Sequence, residues 1–231
     1  MEEVYREDSY LRELEGKVID ITPEGIKLDK TIFHPREGGL EADSGYLIRK
    51  NEEEVKVTDV KRLDGEVVLA VDKALEFGES VIQKLDFDKR LKLMRLHTAS
   101  HIIASIMFSK YNASIIGGNI TEEYARDEFP IGDKDIFSSV IDEANNIADQ
   151  GIELKVYELE KEKAMQIPGI VKLGERMPPD VKVWRIVEIP GVDIQADGGP
   201  HVKNTKEIGK IVLIKFESKG KDRKRIYYTV E

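Results

Sequence analysis

Three of the four histidines in this 231-residue chain fall into two short patterns that suit a metal site. His97 and His101 lie four residues apart in the segment LHTASH, inside an apolar run with helical periodicity. At that spacing both imidazoles leave the same face of a helix and can share one small cation, most commonly zinc. His201, in the segment DGGPH, offers a third ligand from far along the chain. Three protein ligands with one position left for water are typical of a catalytic zinc site.

Neither histidine pattern identifies a metal site by itself. A helical HxxxH pair is also common on ordinary surfaces and in cores. Thr98 stands where zinc peptidases of the HExxH type carry a catalytic glutamate, so that peptidase chemistry is not expected. Gly198 and Gly199 would allow a tight backbone beside His201 and leave room for a substrate, although a plain turn would use glycines in the same way.

A second glycine-rich segment, GGLEADSG, lies between two predicted strands. It is either a connecting loop or a loop whose backbone amides approach a ligand, and spacing does not decide between the two. We interpret His34, just before it, as a structural histidine. A third candidate loop spans residues 115–119 and follows the histidine helix. The candidate substrate-loop residues of the second segment are Gly38, Gly39, Asp43 and Gly45.

The periodicity of apolar residues changes near residue 88. Before it, short alternating runs separated by turn residues predict a small β-barrel or sandwich. After it, we predict a helix with Asp88 as its N-cap that runs to about Lys110, and a second helix over 134–150 that Gly151 closes. Strands are predicted over 153–159, 181–188, 208–216 and 225–230. The expected fold class is therefore α+β, with a β-rich N-terminal domain (1–87) and a domain with an antiparallel sheet and a metal-binding helix (88–231).

The amino-acid composition excludes several classes of protein and of catalytic chemistry. The chain has no cysteine, which excludes disulfides and thiolate catalysis. It has no run of about 18 apolar residues and begins with an acidic, polar segment, so we expect no membrane span, no secretory signal and a cytoplasmic location. The net charge is −9, yet residues 201–231 carry nine Lys and Arg against four acids. That basic segment is either an ordinary solvated surface or a site for phosphates.

Several segments together resemble a known family. The segments HTASH, VKVWRIVEIPGVDIQA, DGGPHVKNTKEIGKI and ESKGKDRKRIYY occur in this order. They resemble the editing domain of alanyl-tRNA synthetases and, more specifically, the free-standing AlaX proteins that deacylate mischarged alanine tRNA. The segment EGGLEADSG resembles the glycine-rich motif of the longer AlaX forms. The resemblance covers nearly the whole chain, although the editing domain of threonyl-tRNA synthetase shares the zinc-motif pattern.

The main departure from the family lies at Asp197, where the family usually carries cysteine. Aspartate can bind zinc through oxygen, so the ligand set implied by the resemblance is His97, His101, Asp197 and His201. A harder ligand set widens the choice to other divalent cations. Alternatively, Asp197 orients a water or a ligating histidine without touching the metal.

The resemblance implies an aminoacyl-tRNA deacylase that removes serine or glycine from alanine tRNA. Asp197 would share in catalysis, and Thr98 would hydrogen-bond the hydroxyl of a seryl substrate, a contact that alanine cannot make. Two other functions stay open, a noncatalytic tRNA-binding module with a structural metal and a metallohydrolase of another small ester. The predicted phosphate contacts are Lys203, Lys219, Lys221, Arg223, Lys224 and Arg225.

Overall fold

The computed structural model describes residues 1–168, 170 and 181–231, which form a mixed α+β structure with mostly antiparallel sheets. This confirms the predicted α+β class. The chain divides into two compact units, Met1–Leu93 and Met94–Glu231. The helix that was predicted to open the second domain begins in the first unit and continues in the second. None of the described helices is both long and apolar enough to cross a membrane.

The first unit is built from eight strands. They are β1 (Glu2–Glu3), β2 (Glu13–Thr22), β3 (Gly25–Leu28), β4 (Lys30–Thr31), β5 (Gly45–Arg49), β6 (Glu54–Leu63), β7 (Glu66–Val71) and β8 (Ser80–Leu85). Six of them form a closed barrel in the order β2-β3-β7-β6-β5-β8, while β1 pairs with β4 in parallel. Along β6, Val55 and Val57 are buried, whereas Glu54 and Lys56 are exposed, because alternate side chains point to opposite faces. A register shift between Val57 and Asp59 changes this alternation, so that Val60 is buried as well.

Strand β8 closes this barrel, and the sequence analysis did not predict it. Its residues pair with β2 on one side and β5 on the other, so that Gln83 lies opposite both Leu14 and Leu47. Gln83 is completely buried, and its side-chain oxygen accepts hydrogen bonds from the Thr31 hydroxyl and the Ile32 amide. A polar residue at a core position hides the alternating pattern on which the prediction of strands depends.

The glycine-rich segment after β4 forms a tight turn followed by a buried ion pair. Gly38 and Gly39 have φ angles of 63° and 90°, and the amide of Leu40 donates to the carbonyl of Glu37. That backbone suits glycine at both central positions. Asp43, only 4 % exposed, binds the fully buried Arg90. The glycines and Asp43 therefore have structural contacts within the first unit, and a role in substrate binding remains a proposal.

The predicted histidine helix is present as α1 (Phe87–Tyr111). The predicted N-cap, Asp88, is wrong by two positions. The side chain of Asp86 accepts from the amide of Lys89 and caps the helix, while Asp88 lies in its first turn. The two aspartates flank Phe87, so either one fits the sequence signal for a helix start.

The described residues of the second unit form two sheets and two further helices. Its elements are β9 (Gly117–Ile120), β10 (Ala125–Phe129), α2 (Lys134–Asp149), β11 (Lys155–Glu160), α3 (Lys161–Ala164), β12 (Val183–Ile189), β13 (Asp193–Ala196), β14 (Ile211–Ser218) and β15 (Lys224–Val230). One sheet has the strand order β14-β15-β10-β9 and the other has the order β11-β12-β13. The candidate loop over residues 115–119 is instead largely strand β9, which pairs with β10.

Helix α2 closely matches its predicted bounds. Asp133 caps its start by accepting from the amide of Ile136, and Gly151 follows its end with a φ angle of 68°. Ile208, predicted to begin a strand, instead ends a short 3-10 turn (Thr205–Ile208), and β14 starts at Ile211. Asn204 caps that turn in a reciprocal arrangement with Glu207, which stops the preceding segment from continuing as a strand.

Candidate metal centre

Helix α1 supplies two of the candidate ligands from one face. His97 and His101 are one turn apart, and their ring centroids lie 5.0 Å from each other with perpendicular planes. This is the geometry expected for side chains at positions i and i+4. Leu96, Ala99 and Ile102, close to the two histidines in the helix, are completely buried. This packing fixes the helix and so restricts where both rings can lie.

The other two candidate ligands follow strand β13 in the segment 197–201. Arg185, on the neighbouring strand β12, donates from one guanidinium nitrogen to the carbonyls of Asp197 (2.9 Å) and Gly199 (3.0 Å). The Asp197 carboxylate accepts from the amide of Gly199 at 2.6 Å, which tightens the turn. A Cβ at Gly199 would lie 2.7 Å from the His97 ring, so only glycine fits there without displacing that ring.

The four side chains converge on one small volume. One ligand atom from each of His97, His101, Asp197 and His201 lies within 4.8 Å of the others. The Nε2 atoms of the three histidines lie 3.5, 3.6 and 3.4 Å from the Asp197 carboxylate oxygens. A tetrahedral ion with bonds of about 2.0–2.1 Å keeps its ligand atoms about 3.3–3.4 Å apart. The donors present therefore fit a small divalent cation.

The second nitrogen of each ring fixes its orientation. His101 Nδ1 donates to Asp193 at 3.0 Å, and His97 Nδ1 faces the Pro200 carbonyl at 3.3 Å. The Thr98 hydroxyl donates its only hydrogen to the Met94 carbonyl, so it can only accept from His201 Nδ1, 3.0 Å away. All three partners are acceptors, which assigns the hydrogen of each ring to Nδ1. In the neutral form of each ring, Nε2 then faces the shared volume with a lone pair, the arrangement of ligating histidines.

Burial and the neighbouring charges shift the pKa values of three of the candidate ligands. Burial raises the pKa of Asp197, but the neighbouring His97, His101 and His201 lower it well below its usual range. Burial lowers the pKa of His101, yet its hydrogen bonds to Asp193 and Asp197 raise it to about 9. Burial and the charge of His97 hold the pKa of His201 well below normal. A cation binding here would replace a proton between His101 and Asp197, so binding would release it.

Comparisons with known proteins show what this chain is similar to. A profile described as the threonyl and alanyl tRNA synthetase second additional domain matches residues 184–227. The alanyl-tRNA editing protein AlaX-M of Saccharolobus solfataricus is 53 % identical over 100 % of this chain and 99 % of that protein. AlaX-M of Methanosarcina barkeri is 33 % identical over 99 % of this chain and 98 % of that protein.

The chain belongs to the AlaX family of alanyl-tRNA editing proteins. Alanyl-tRNA editing proteins are deacylases that hydrolyse mischarged aminoacyl-tRNA. The alanine–tRNA ligase of Staphylothermus marinus is also similar, at 37 % identity over 93 % of this chain but only 24 % of that enzyme.

The structure gives Thr98 a contact that the sequence did not predict. Thr98 is completely buried, and its hydroxyl lies between Met94 and the His201 ring. The geometry therefore shows that Thr98 supports the His201 ring, while its predicted contact with a seryl hydroxyl stays a prediction. Asp193 was missed altogether. It alternates with Gln195 on the buried face of β13, and Gln195 donates to it at 2.9 Å.

The predicted phosphate contacts lie mostly on the hairpin of β14 and β15. Arg223 and Arg225 both bind the buried carboxylate of Glu128, at 2.5 and 2.8 Å. Lys219 pairs with Glu217, and the Lys224 ammonium donates to Ser218 and Gly220. The other two, Lys203 and Lys221, are exposed. Much of the positive charge in this segment is thus shared with neighbouring acids.

Proposed function

We propose that this protein hydrolyses the aminoacyl ester of alanine tRNA that carries serine or glycine. The observation that carries the proposal is the convergence of four donors, His97, His101, Asp197 and His201, with each histidine Nε2 left free by its hydrogen-bonded Nδ1. Zinc suits this set best, and the carboxylate admits other divalent cations. When bound, the ion would supply Lewis-acid chemistry at the ester.

The protein's own residues would orient the reactive groups. His97 and Asp197 are the more exposed members of the centre, with 12 % and 13 % of their side chains accessible, and they would face the substrate. His101 and His201 are more deeply buried and are held by Asp193 and Thr98. Because Gly199 has no side chain, nothing crowds the exposed edge of His97.

The same proposal assigns the remaining candidate residues. Gly198 and Gly199 would border the bound ester, and the second glycine-rich segment, GGLEADSG, would contribute Gly38, Gly39 and Gly45 as a substrate loop. Asp43 would hold that loop in place through Arg90. The basic residues of the C-terminal segment would hold phosphates of the tRNA, which position it without reading its sequence. Translation editing would take place in the cytoplasm.

Deacylation assays test this function. Alanine tRNA charged with serine, glycine or alanine would be incubated with the protein, before and after chelation of its metal. We expect the seryl or glycyl ester to be cleaved well above the alanyl ester, with activity lost on chelation and restored by zinc. A folded, metal-bound protein that binds tRNA but cleaves none of the three esters would support the noncatalytic module. Equal activity on a free aminoacyl ester would support a general esterase.

A double variant tests the metal assignment. His97→Ala/His101→Ala removes two of the four donors and should reduce the metal from about one ion per chain to none. Lys110→Ala is the matched control, because its side chain is 54 % exposed on the same helix and lies outside the cluster. Elemental analysis after titration with zinc gives the stoichiometry. Equal metal content in the double variant and the control would contradict the assignment.

Charge reversal at Lys221 tests the RNA contact. Lys221 is exposed at the tip of the hairpin, so Lys221→Glu should weaken tRNA binding and flatten its salt dependence. Lys50→Glu, at an exposed turn in the first unit, changes the net charge by the same amount. Filter binding at several salt concentrations compares them. Equal tRNA affinities for the two variants would show that this part of the hairpin is an ordinary solvated surface.

A further inference from the structure

Asp127, on strand β10, is a buried carboxylate beside the metal centre that the proposed ligand set does not use. It is only 1 % exposed. One of its oxygens, Oδ2, accepts from the Ser100 hydroxyl at 3.0 Å and from the Tyr228 hydroxyl at 2.7 Å. Ser100 lies on α1 between the two histidine ligands, His97 and His101. The carboxylate is therefore tied to the same stretch of helix that presents the metal ligands.

The other oxygen, Oδ1, has no hydrogen-bond partner among the described residues, and no lysine or arginine of that part of the chain pairs with Asp127. Buried polar atoms are almost always satisfied, and a buried carboxylate without a cation is costly. Ser100 and Tyr228 are neutral donors. Asp127 thus lacks the positive partner that a purely structural buried carboxylate normally has.

Glycine leaves space next to Oδ1. Gly118 on β9 lies directly opposite Asp127 on β10. A Cβ at Gly118 would lie 3.3 Å from Oδ1, tight against that oxygen. Gly118 does not have a positive φ angle, so its backbone conformation does not require glycine. The missing side chain instead leaves room beside the unpartnered oxygen within a buried environment.

The charge of the centre reaches Asp127. Ser100, which donates to Asp127, is adjacent to His101 in α1, so the Asp127 carboxyl lies close to the candidate ligands. Burial raises the pKa of this carboxyl, although the two hydroxyls and the charges of His97 and His101 act in the opposite direction. A cationic group beside Oδ1 would favour the ionised carboxylate and meet it with little intervening solvent, where a charge-assisted hydrogen bond is strong.

We propose that Asp127 Oδ1 binds the α-ammonium group of the aminoacyl ester. This inference rests on the proposed function. An aminoacyl ester differs from other small esters by an ammonium one carbon from the ester carbon, so a carboxylate beside the metal centre can orient the ester through that ammonium. Serine, glycine and alanine all carry this group, so Asp127 positions the substrate and selects α-amino acids as a class. Discrimination against alanine must come from other residues.

Two esters on the same tRNA test the inference. One is the seryl or glycyl ester, whichever the wild-type protein cleaves, and the other is its α-hydroxy counterpart, in which a hydroxyl replaces the amine. Each rate is divided by the uncatalysed hydrolysis of that ester. In wild-type protein we expect kcat/KM to favour the amino ester about 10- to 100-fold, the range of a charged hydrogen bond. Asp127→Asn keeps the shape and should reduce this preference to about threefold or less.

Two further variants separate substrate binding from structure. Tyr228→Phe removes a donor to Oδ2 but keeps the carboxylate, so the preference for the amino ester should remain. Gly118→Ala places a methyl group against Oδ1 and should reduce the preference as Asp127→Asn does, even if the asparagine variant fails to fold. Zinc content should be equal in all of them. If Asp127→Asn or Gly118→Ala slows both esters by the same factor, Asp127 is only structural, whereas a wild-type protein that cleaves neither ester contradicts the proposed function instead.

Discussion

Asp43 in the first unit and Asp197 in the second are both candidate site residues, yet their surroundings differ. Asp43 binds a permanent cation, with the Arg90 Nε 2.9 Å from Oδ1, and it also accepts from the amide of His34. The Asp197 carboxylate pairs with no lysine or arginine in the part of the chain that the structure describes, since Arg185 binds only the backbone carbonyl of this residue. Besides the amide of Gly199, the neighbours of the carboxylate are three imidazole nitrogens, 3.4–3.6 Å away.

The distances explain the difference in role. A separation of 3.4–3.6 Å is longer than a good hydrogen bond, but it is close to the spacing of ligand atoms around one small ion. The Asp43 carboxylate is saturated by groups that cannot leave, so it stabilises the fold. The Asp197 carboxylate is arranged around a position that its own neighbours do not fill. The role of a buried carboxylate therefore depends on which cation neutralises its charge.

The largest effect is expected from removing the partner of Asp43. Arg90→Ala leaves a buried carboxylate without its cation and should lower the free energy of unfolding by about 3–5 kcal/mol. Lys73→Ala breaks an ion pair in the same unit whose side chains are 46 % and 36 % exposed, and should cost less than about 1 kcal/mol. Urea unfolding measures both.

The comparison also predicts what Arg90→Ala leaves unchanged. The zinc content of the protein that remains folded should equal that of the wild type, because no metal-ligand contact is removed. A folded Arg90→Ala protein that has lost its zinc would show that the first carboxylate also serves the metal centre, and the contrast between the two would fail.

Substitution of Asp197 should act on the metal rather than on the fold. Asp197→Ala removes one of four ligands and should weaken zinc affinity by more than the roughly 100-fold typical of indirect partners, whereas Asp197→Cys supplies a thiolate and should retain zinc. Competition with a chelator measures the affinity. If Asp197→Ala lowers the zinc affinity only about 10- to 100-fold, Asp197 orients a ligand without being one. Full affinity in Asp197→Ala would remove the residue from the site.

The sequence was sufficient to select the four candidate ligands that the structure brings together, but not the residues that contact them. The spacing of His97 and His101 on a helix is local, and the DGGPH segment is short, so both patterns are visible without a fold. Asp193 and Asp127 gain their roles only when strands β13 and β10 place them against α1. Residue pairs such as Ser100 and Asp127, 27 positions apart, depend on tertiary structure and leave no periodic signal.

The same distinction applies to the fold. Strands with alternating apolar residues, such as β15, were predicted close to their observed bounds, here 225–230 against Lys224–Val230. Strand β9 was interpreted as a loop because Gly117 and Gly118 are poor strand formers, and only its pairing with β10 holds it extended. The cap of α1 was placed at Asp88 instead of Asp86 because the two residues satisfy the same local rule.

A smaller effect is expected at Asp193. Asp193→Asn keeps the shape but weakens the acceptor that holds the His101 ring, so zinc affinity should fall about 10- to 100-fold with little change in folding. Gln195→Ala removes a donor to the same carboxylate and is the milder companion variant. Unchanged zinc affinity in Asp193→Asn would show that the helix alone orients His101.

The smallest effect extends the comparison to a third carboxylate, Glu3, whose partners are again permanent cations. Arg62 contacts both of its oxygens, and Arg6 and Tyr5 add further hydrogen bonds. Burial raises the pKa of Glu3, but these partners lower it to about 2. A lowered folded-state pKa gives stability that is complete above the unfolded pKa of about 4.5 and is lost as the pH falls toward 2. Because Glu3 is partly exposed, this stability should be on the order of 1–2 kcal/mol.

The difference in unfolding free energy between the wild type and Glu3→Gln should therefore be constant above pH 5 and shrink between pH 4.5 and 2. Urea titrations at several pH values give this difference, and Glu24→Gln, at an exposed turn, serves as the matched control. A difference that stays constant down to pH 2 would show that the arginines hold Glu3 by packing instead of by charge. The contrast between carboxylates paired with arginine and the carboxylate that faces the candidate metal centre would then rest on Asp43 alone.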